Sequence, residues 1–162
     1  MHVREATPED APNVRAVADA AWHDAHDEIV GPDAVEAFLA DYYAVDELRE
    51  RYRDGDSETV VACEDGDVVG YASGVDGDGA YTLGSIYVHP EQQGEGVGSR
   101  LLVEIEDIAR ERDYDRLRLV VMADNDDARG FYEARGFEHV ADDYDERLHV
   151  ENCEYAKPLD DD

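Results

Sequence analysis

Residues 90–102 read PEQQGEGVGSRLL, with Gly94, Gly96 and Gly98 at alternate positions directly before an apolar helical pattern. Glycines so placed let the backbone come close to a ligand, because no Cβ stands in the way. Peptide N–H groups converging at a helix N-terminus bind phosphate without help from a cationic side chain. That chemistry suits a loop that holds no lysine and carries a carboxylate, Glu95. A second candidate lies in NDDARGFYEARGF (125–137), where Tyr132 shares a helical face with Ala128 and Phe131. A phenol, with an ordinary pKa of about 10, is protonated at neutral pH and can serve as a general acid. A third is WHDAHDE (22–28), with His23 and His26 one turn apart. A solvated helix end beside a cleft accounts for that spacing, so no metal is expected, and Trp22, His26 and Glu28 become candidate substrate contacts.

These residues need elements to hold them. A short strand at 2–6 leads into Thr7-Pro8-Glu9-Asp10, an N-cap followed by proline and, at the third position, a carboxylate. The first helix follows, with Val14, Val17, Ala18 and Ala21 on one face. Gly31-Pro32 breaks it, and a second helical stripe starts at Val35 and is predicted to run to Arg53. After Asp54-Gly55 the period changes to that of a strand. Residues 58–64, 67–75 and 80–89 form a three-strand meander with turns at Asp65-Gly66 and 76–79. A helix with Val97, Leu101, Leu102, Ile105 and Ile108 on one stripe comes next, then a strand at 116–122. Asn125 caps a further helix that Gly136 ends, with Phe137 folding back onto Tyr132. Strands at 137–144 and 148–157 finish the chain. The order predicts one α/β domain over 1–162, with a mixed sheet covered by helices on both faces, a core over 2–157 and an acidic tail at 158–162.

The loop excludes one phosphate-binding pattern and disfavours a second, dinucleotide binding, which stays as a lesser alternative. A P-loop requires lysine after its last glycine, but Ser99-Arg100 stands there. A dinucleotide fingerprint requires a third glycine where Leu101 stands, and a tight turn where residues 89–93 intervene. Gln93, Gly96 and Gly98 instead satisfy Gln/Arg-x-x-Gly-x-Gly/Ala at a strand–loop–helix junction. Here the chain resembles the GNAT superfamily of N-acetyltransferases. SIYVHPEQQGEGVGSRLL (85–102) is similar to the family's acetyl-CoA segment, and NDDARGFYEARGFEHV (125–140) to its second conserved segment. The opening VREATPEDAPNV (3–14) is a common family start, so the resemblance covers residues 2–157.

The resemblance implies acetyl transfer from acetyl-CoA to a primary amine by direct attack in a ternary complex. It implies that the amides of Gln93, Gly94, Glu95, Gly96, Val97, Gly98 and Ser99 hold the pyrophosphate of coenzyme A. It implies that the strand with Ile86, Tyr87 and Val88 parts from strand 116–122 to admit the pantetheine arm beside Asn125. Tyr132 is then the acid for the leaving thiolate. Thr82 stands where many relatives carry a glutamate, which leaves the base unassigned and keeps a non-catalytic acyl-CoA-binding module as the alternative.

Composition restricts partners more than chemistry. The chain of 162 residues holds 43 Asp and Glu against 14 Lys and Arg, a formal charge of −29. That charge disfavours nucleic acid and anionic membranes as partners. Acidic residues are spread along the chain and Lys157 is the only lysine, a pattern expected of a halophilic surface. Cys63 and Cys153 are isolated and read as small buried hydrophobes in a reducing, cytoplasmic setting, and a homodimer is as compatible with the sequence as a monomer. At 1 M salt the screening length is about 3 Å, so self-repulsion among the carboxylates should fade. The melting temperature should therefore climb as KCl is raised from about 0.1 to about 2 M. A flat melting curve across that range would remove the halophilic reading.

Overall fold

Period-two alternation along the central strands places a core on each side of one sheet. In β2 (Glu58–Glu64), Val60 and Ala62 pack in one core with Leu101 and Ile105, whereas Val61 turns to Val14, Val17 and Leu39 in the other. β3 (Asp67–Asp76) repeats the pattern, with Ala72 on the first side and Tyr71 on the second. The structure, a computed structural model, describes residues 1–54 and 58–159. The remaining elements are β1 (His2–Glu5), α1 (Ala11–Val30), α2 (Pro32–Tyr42), α3 (Val45–Asp54), β4 (Tyr81–Val88), α4 (Val97–Glu111), β5 (Arg116–Met122), α5 (Asp126–Glu133), β6 (Glu138–Asp145) and β7 (Val150–Pro158). The seven described strands form one mixed sheet in the order β1-β2-β3-β4-β5-β7-β6. Every pair is antiparallel except β4–β5, which is parallel. This is the mixed α/β sheet, with helices on both faces, that the element order predicts.

The N-terminal junction is tied by one carboxylate. Asp10 accepts the Thr7 N–H at 2.8 Å and takes both guanidinium nitrogens of Arg4, at 2.8 and 2.9 Å. On the opposite face α4 buries Val97, Leu101, Leu102, Ile105 and Ala109 along its apolar stripe.

Two expectations change. The predicted second helix is two helices, because α2 stops at Tyr42 and α3 starts at Val45. Arg15 of α1 is the reason: its guanidinium takes the carbonyls of Leu39 and Tyr43 at 3.1 and 3.0 Å, and the second of these would serve the next turn of a continuous helix. The chain also stays on the fold past residue 157. Pro158 belongs to β7, and buried Leu159 donates its N–H to Asp115 O at 2.8 Å. Gly55 of the predicted turn and the aspartates at 160–162 lie outside the described residues. No described helix is long and apolar enough to cross a membrane.

Between α1, α2 and β4 sits an aromatic cluster. Trp22 stacks on Phe38 with ring centroids 4.3 Å apart, and His26 lies 4.4 Å from Trp22. His26 is only 3% exposed; its Nε2 is 3.3 Å from the Tyr87 hydroxyl, and its Nδ1 has no partner among the described residues. Burial disfavours the imidazolium and lowers the His26 pKa from 6.5 to about 4. The unfolded chain therefore binds the extra proton first, and stability contributed by neutral His26 is lost as pH falls from 6.5 towards 4. Compared with a His26→Phe variant, the wild-type protein should lose roughly 1.4 kcal/mol more per pH unit across that window. Parallel pH–stability curves for the two proteins would show that His26 does not titrate in this way.

Candidate active site

β4 and β5 share only two rungs, Tyr81–Leu117 and Thr82–Arg118. Directly beyond them β4 carries one extra residue against β3. Ser73 pairs with Ser85 and Gly74 with Leu83, which makes Gly84 the bulged position. A bulge bends its strand and increases the local twist, and here it carries the end of β4 away from β5. His89 donates its N–H to Val69 O of β3 at 2.8 Å, so by strand alternation Ile86 and Val88 turn their peptide groups toward the opening. The Gln93 side-chain amide donates to Val88 O at 3.3 Å and ties the glycine loop to the strand end.

The loop conformation depends on Gly94 and Gly96, with φ of +84° and +86°. That left-handed region is strained for most other residues. A Cβ built at either position meets no other atom of the chain within 4 Å, so packing within the protein does not demand glycine here, whereas the backbone conformation does. α4 begins with Arg100 N–H bonded to Gly96 O at 3.1 Å, which leaves the N–H groups of Val97, Gly98 and Ser99 without helical partners.

Loop and splayed strands border a cleft of about 820 Å³. It is lined by Ile86, Tyr87 and Val88, by the loop residues Gln93, Gly94, Gly96, Val97, Gly98 and Ser99, and by Asn125 and Tyr132. Glu95 does not line it; its side chain is exposed. Among the candidate acceptor contacts, Glu28 lines the cleft on the α1 side, next to Asp24. Trp22 and His26 do not, because the aromatic cluster buries them on the far side of Tyr87, and His23 pairs with Asp27 at 2.6 Å.

Tyr132 is held edge-on between Phe131 and Phe137, with centroids 5.3 and 5.5 Å away. Its position follows from the helix stop: Gly136 has φ +94°, and Phe137 N–H returns to Tyr132 O at 3.1 Å. The ring is buried, and the hydroxyl has no hydrogen-bond partner among the described residues. Burial pushes its pKa well above the ordinary tyrosine value. Asn125 caps α5, its Oδ1 accepting Ala128 N–H at 3.2 Å.

Arg135 is a cleft residue that no motif in the sequence singles out. It lines the cleft, stacks 3.6 Å above the Phe131 ring and donates to Ser99 Oγ at 3.1 and 2.5 Å. It thus adds a cation beside the free amides of α4. The signal lay in its spacing, one helical turn beyond Phe131. Arg100 pairs with Glu104 and Arg129 with Tyr155 and the Ala123 carbonyl, so neither lines the cleft.

Residues 19–137 match the Acetyltransferase (GNAT) family. The chain belongs to the GNAT family of acetyltransferases. Its fold is that of PaiA N-acetyltransferase from Thermoplasma acidophilum, solved in complex with coenzyme A, with a TM-score of 0.86 at 22% identity over 97% of this chain and 98% of that one. A GCN5-related N-acetyltransferase from Rhodopseudomonas palustris superposes with a TM-score of 0.83 at 24% identity, covering 98% and 95%. Ribosomal-protein-alanine N-acetyltransferase from Brucella melitensis gives 0.71 at 25% identity, covering 98% and 100%.

As a GNAT acetyltransferase the protein takes its acetyl group from acetyl-CoA. The site fits such a donor: a strand edge left open at Ile86 and Val88, a row of unpaired amides at the head of α4, and Arg135 beside them. Gly96 has φ +86° and no chain atom near its Cβ position, so within the protein the cost of replacing it is conformational. Gly96→Val should weaken acetyl-CoA binding by roughly 5- to 30-fold, taking ~1–2 kcal/mol for a non-glycine residue in the left-handed region. Gly96→Asn should retain most of the affinity, because asparagine tolerates that region. Equal losses in the two variants, measured by calorimetry, would point to lost space instead.

Proposed function

We propose that the acceptor is a primary amine, acetylated by direct attack while both substrates occupy the cleft, with Tyr132 as the general acid. The observation that carries this reading is a buried phenol with an unpartnered hydroxyl, lining the cleft where β4 has left β5. Bound acetyl-CoA supplies a thioester whose carbonyl carbon can accept an amine nitrogen. The Val88 N–H faces the opening and serves as a donor to the carbonyl oxygen as negative charge grows there. The C–N bond forms, the C–S bond breaks, and Tyr132 gives its proton to the departing sulfur; the proton that the nitrogen sheds on becoming an amide passes through water to the Tyr132 phenolate and restores it. Burial keeps that phenol protonated across the pH range in which an alkylamine becomes neutral.

The amine arrives from the α1 side. Asp24 and Glu28 stand one turn apart on the stripe that borders the cleft, and both favour a protonated ammonium at the mouth. Before attack the ammonium must lose a proton, and water in the cleft passes it to one of these carboxylates. His26 is not that base: it is buried away from the cleft. The Brucella melitensis neighbour, named for ribosomal-protein alanine, makes an alanine-bearing peptide one acceptor to try, and the carboxylates at the mouth make a small cationic amine another.

Tyr132→Phe keeps the ring packing and removes only the proton donor. kcat should fall by roughly 10²–10⁴, the usual contribution of general acid catalysis. KM for acetyl-CoA should barely change, since the hydroxyl acts mainly in the transition state. Release of free coenzyme A thiol over a panel of amines measures both, and full kcat in the Phe variant would leave Tyr132 a packing residue.

A further inference from the structure

Outside the cleft, β6 and β7 bring three chemically different donor side chains to one place. His139 and Asp142 are three residues apart, a spacing that puts them on opposite faces of a regular strand. The register shift between His139 and Ala141 makes Val140 an extra residue and reverses that parity. His139 therefore stands opposite Tyr155, and Asp142 opposite Cys153, two positions on the same face of β7. As a result His139 Nε2 lies 2.7 Å from Asp142 Oδ1, and the ligand atoms of His139, Asp142 and Cys153 all fall within 4.8 Å of one another.

We propose that His139, Asp142 and Cys153 form a binding site for a zinc-class divalent cation at the sheet edge. A thiolate with an imidazole selects zinc, or cobalt as its stand-in, over magnesium and calcium, which prefer oxygen donors. Bond lengths of about 2.0–2.3 Å put two ligands on a tetrahedral ion roughly 3.2–3.7 Å apart. The ion needs only small side-chain movements, taking the place of the His139–Asp142 contact. Three protein ligands leave a fourth position for water, on the side where His139 and Asp142 are exposed.

The surroundings hold the donors in place. The His139 ring stacks on Tyr155, centroids 5.4 Å apart and planes 25° from parallel. The Tyr155 hydroxyl donates to Glu133 at 2.6 Å and accepts from Arg129 Nε at 3.0 Å. Cys153 is buried, with Arg129 near it as an opposing charge and Asp142 and Glu151 as favourable ones. Burial and the carboxylates hold the thiol protonated, so metal uptake releases its proton and strengthens as pH rises. The ion would clip outermost β6, which among the described residues pairs only with β7, to the rest of the sheet.

The test uses the full-length, untagged chain, stripped of metal with a chelator, kept reduced and titrated with cobalt(II). The expected result is saturation at one equivalent, with a thiolate-to-cobalt charge-transfer band and the visible absorption of a tetrahedral ion. Zinc should displace the cobalt and, at about 100-fold over its dissociation constant, raise the melting temperature by about 5–10 °C. Cys153→Ser should abolish the band, while Cys63→Ser should leave it intact. His139→Gln and Asp142→Asn alter exposed side chains; each should weaken cobalt binding at least tenfold with acetyl transfer unchanged, which guards against misfolding of the Cys153 variant. Weak binding without the thiolate band, as expected of scattered surface carboxylates, would overturn the proposal, as would tight binding that survives loss of His139 and Asp142.

Discussion

Beyond the Tyr81–Leu117 and Thr82–Arg118 rungs, the facing edges of β4 and β5 stop pairing with each other, and their peptide groups need other partners. Water can satisfy them at low cost only if the gap stays open to solvent, so the sheet must hold a cleft there. The bulge at Gly84 starts the separation, and the pairing of β3 with residues 85–88 makes it rigid. β7 closes the other side by running antiparallel to β5 along its whole length, from Arg116–Pro158 to Met122–Asn152. α4 and α5 then point toward the gap because each leaves the end of one of the two diverging strands. Free amides, capping asparagine and buried phenol are brought together by that one parting of strands.

Charge works against this arrangement and is met locally. A cleft that takes a phosphate-bearing donor has Asp24, Glu28, Asp124, Asp126 and Asp127 on its walls and one arginine, Arg135. The acids keep to the α1 side and to the head of α5, where Asp126 and Asp127 also oppose the positive end of the helix dipole. Arg135 and the α4 amides hold the loop end. Glu95 stays harmless by standing exposed outside the cleft. Electrostatics thus divides one cavity into an anion-binding end and a cation-attracting mouth.

Two bulges, each of a single residue, place chemistry that a regular sheet would have scattered. Gly84 opens the cleft, and Val140 gathers His139, Asp142 and Cys153 on one face. The first sits at a glycine within a strand, a common mark of a bulge. The second left no such mark, since valine is an ordinary strand residue.

Residue order alone carried the glycine loop, the Asn125 and Gly136 ends of α5, the face shared by Ala128, Phe131 and Tyr132, and the alternation of the central strands. Those features rest on interactions within a few residues of one another, so local spacing suffices to specify them. The break between α2 and α3 was not legible, because Arg15 in a different helix imposes it. The burial of Trp22 and His26 behind Tyr87, and the reach of Arg135 to Ser99, were settled the same way, by neighbours distant in the chain. A periodic pattern reports which face of an element is apolar. It cannot report which partner covers that face, and here the partner decided whether a residue met the core or the cleft.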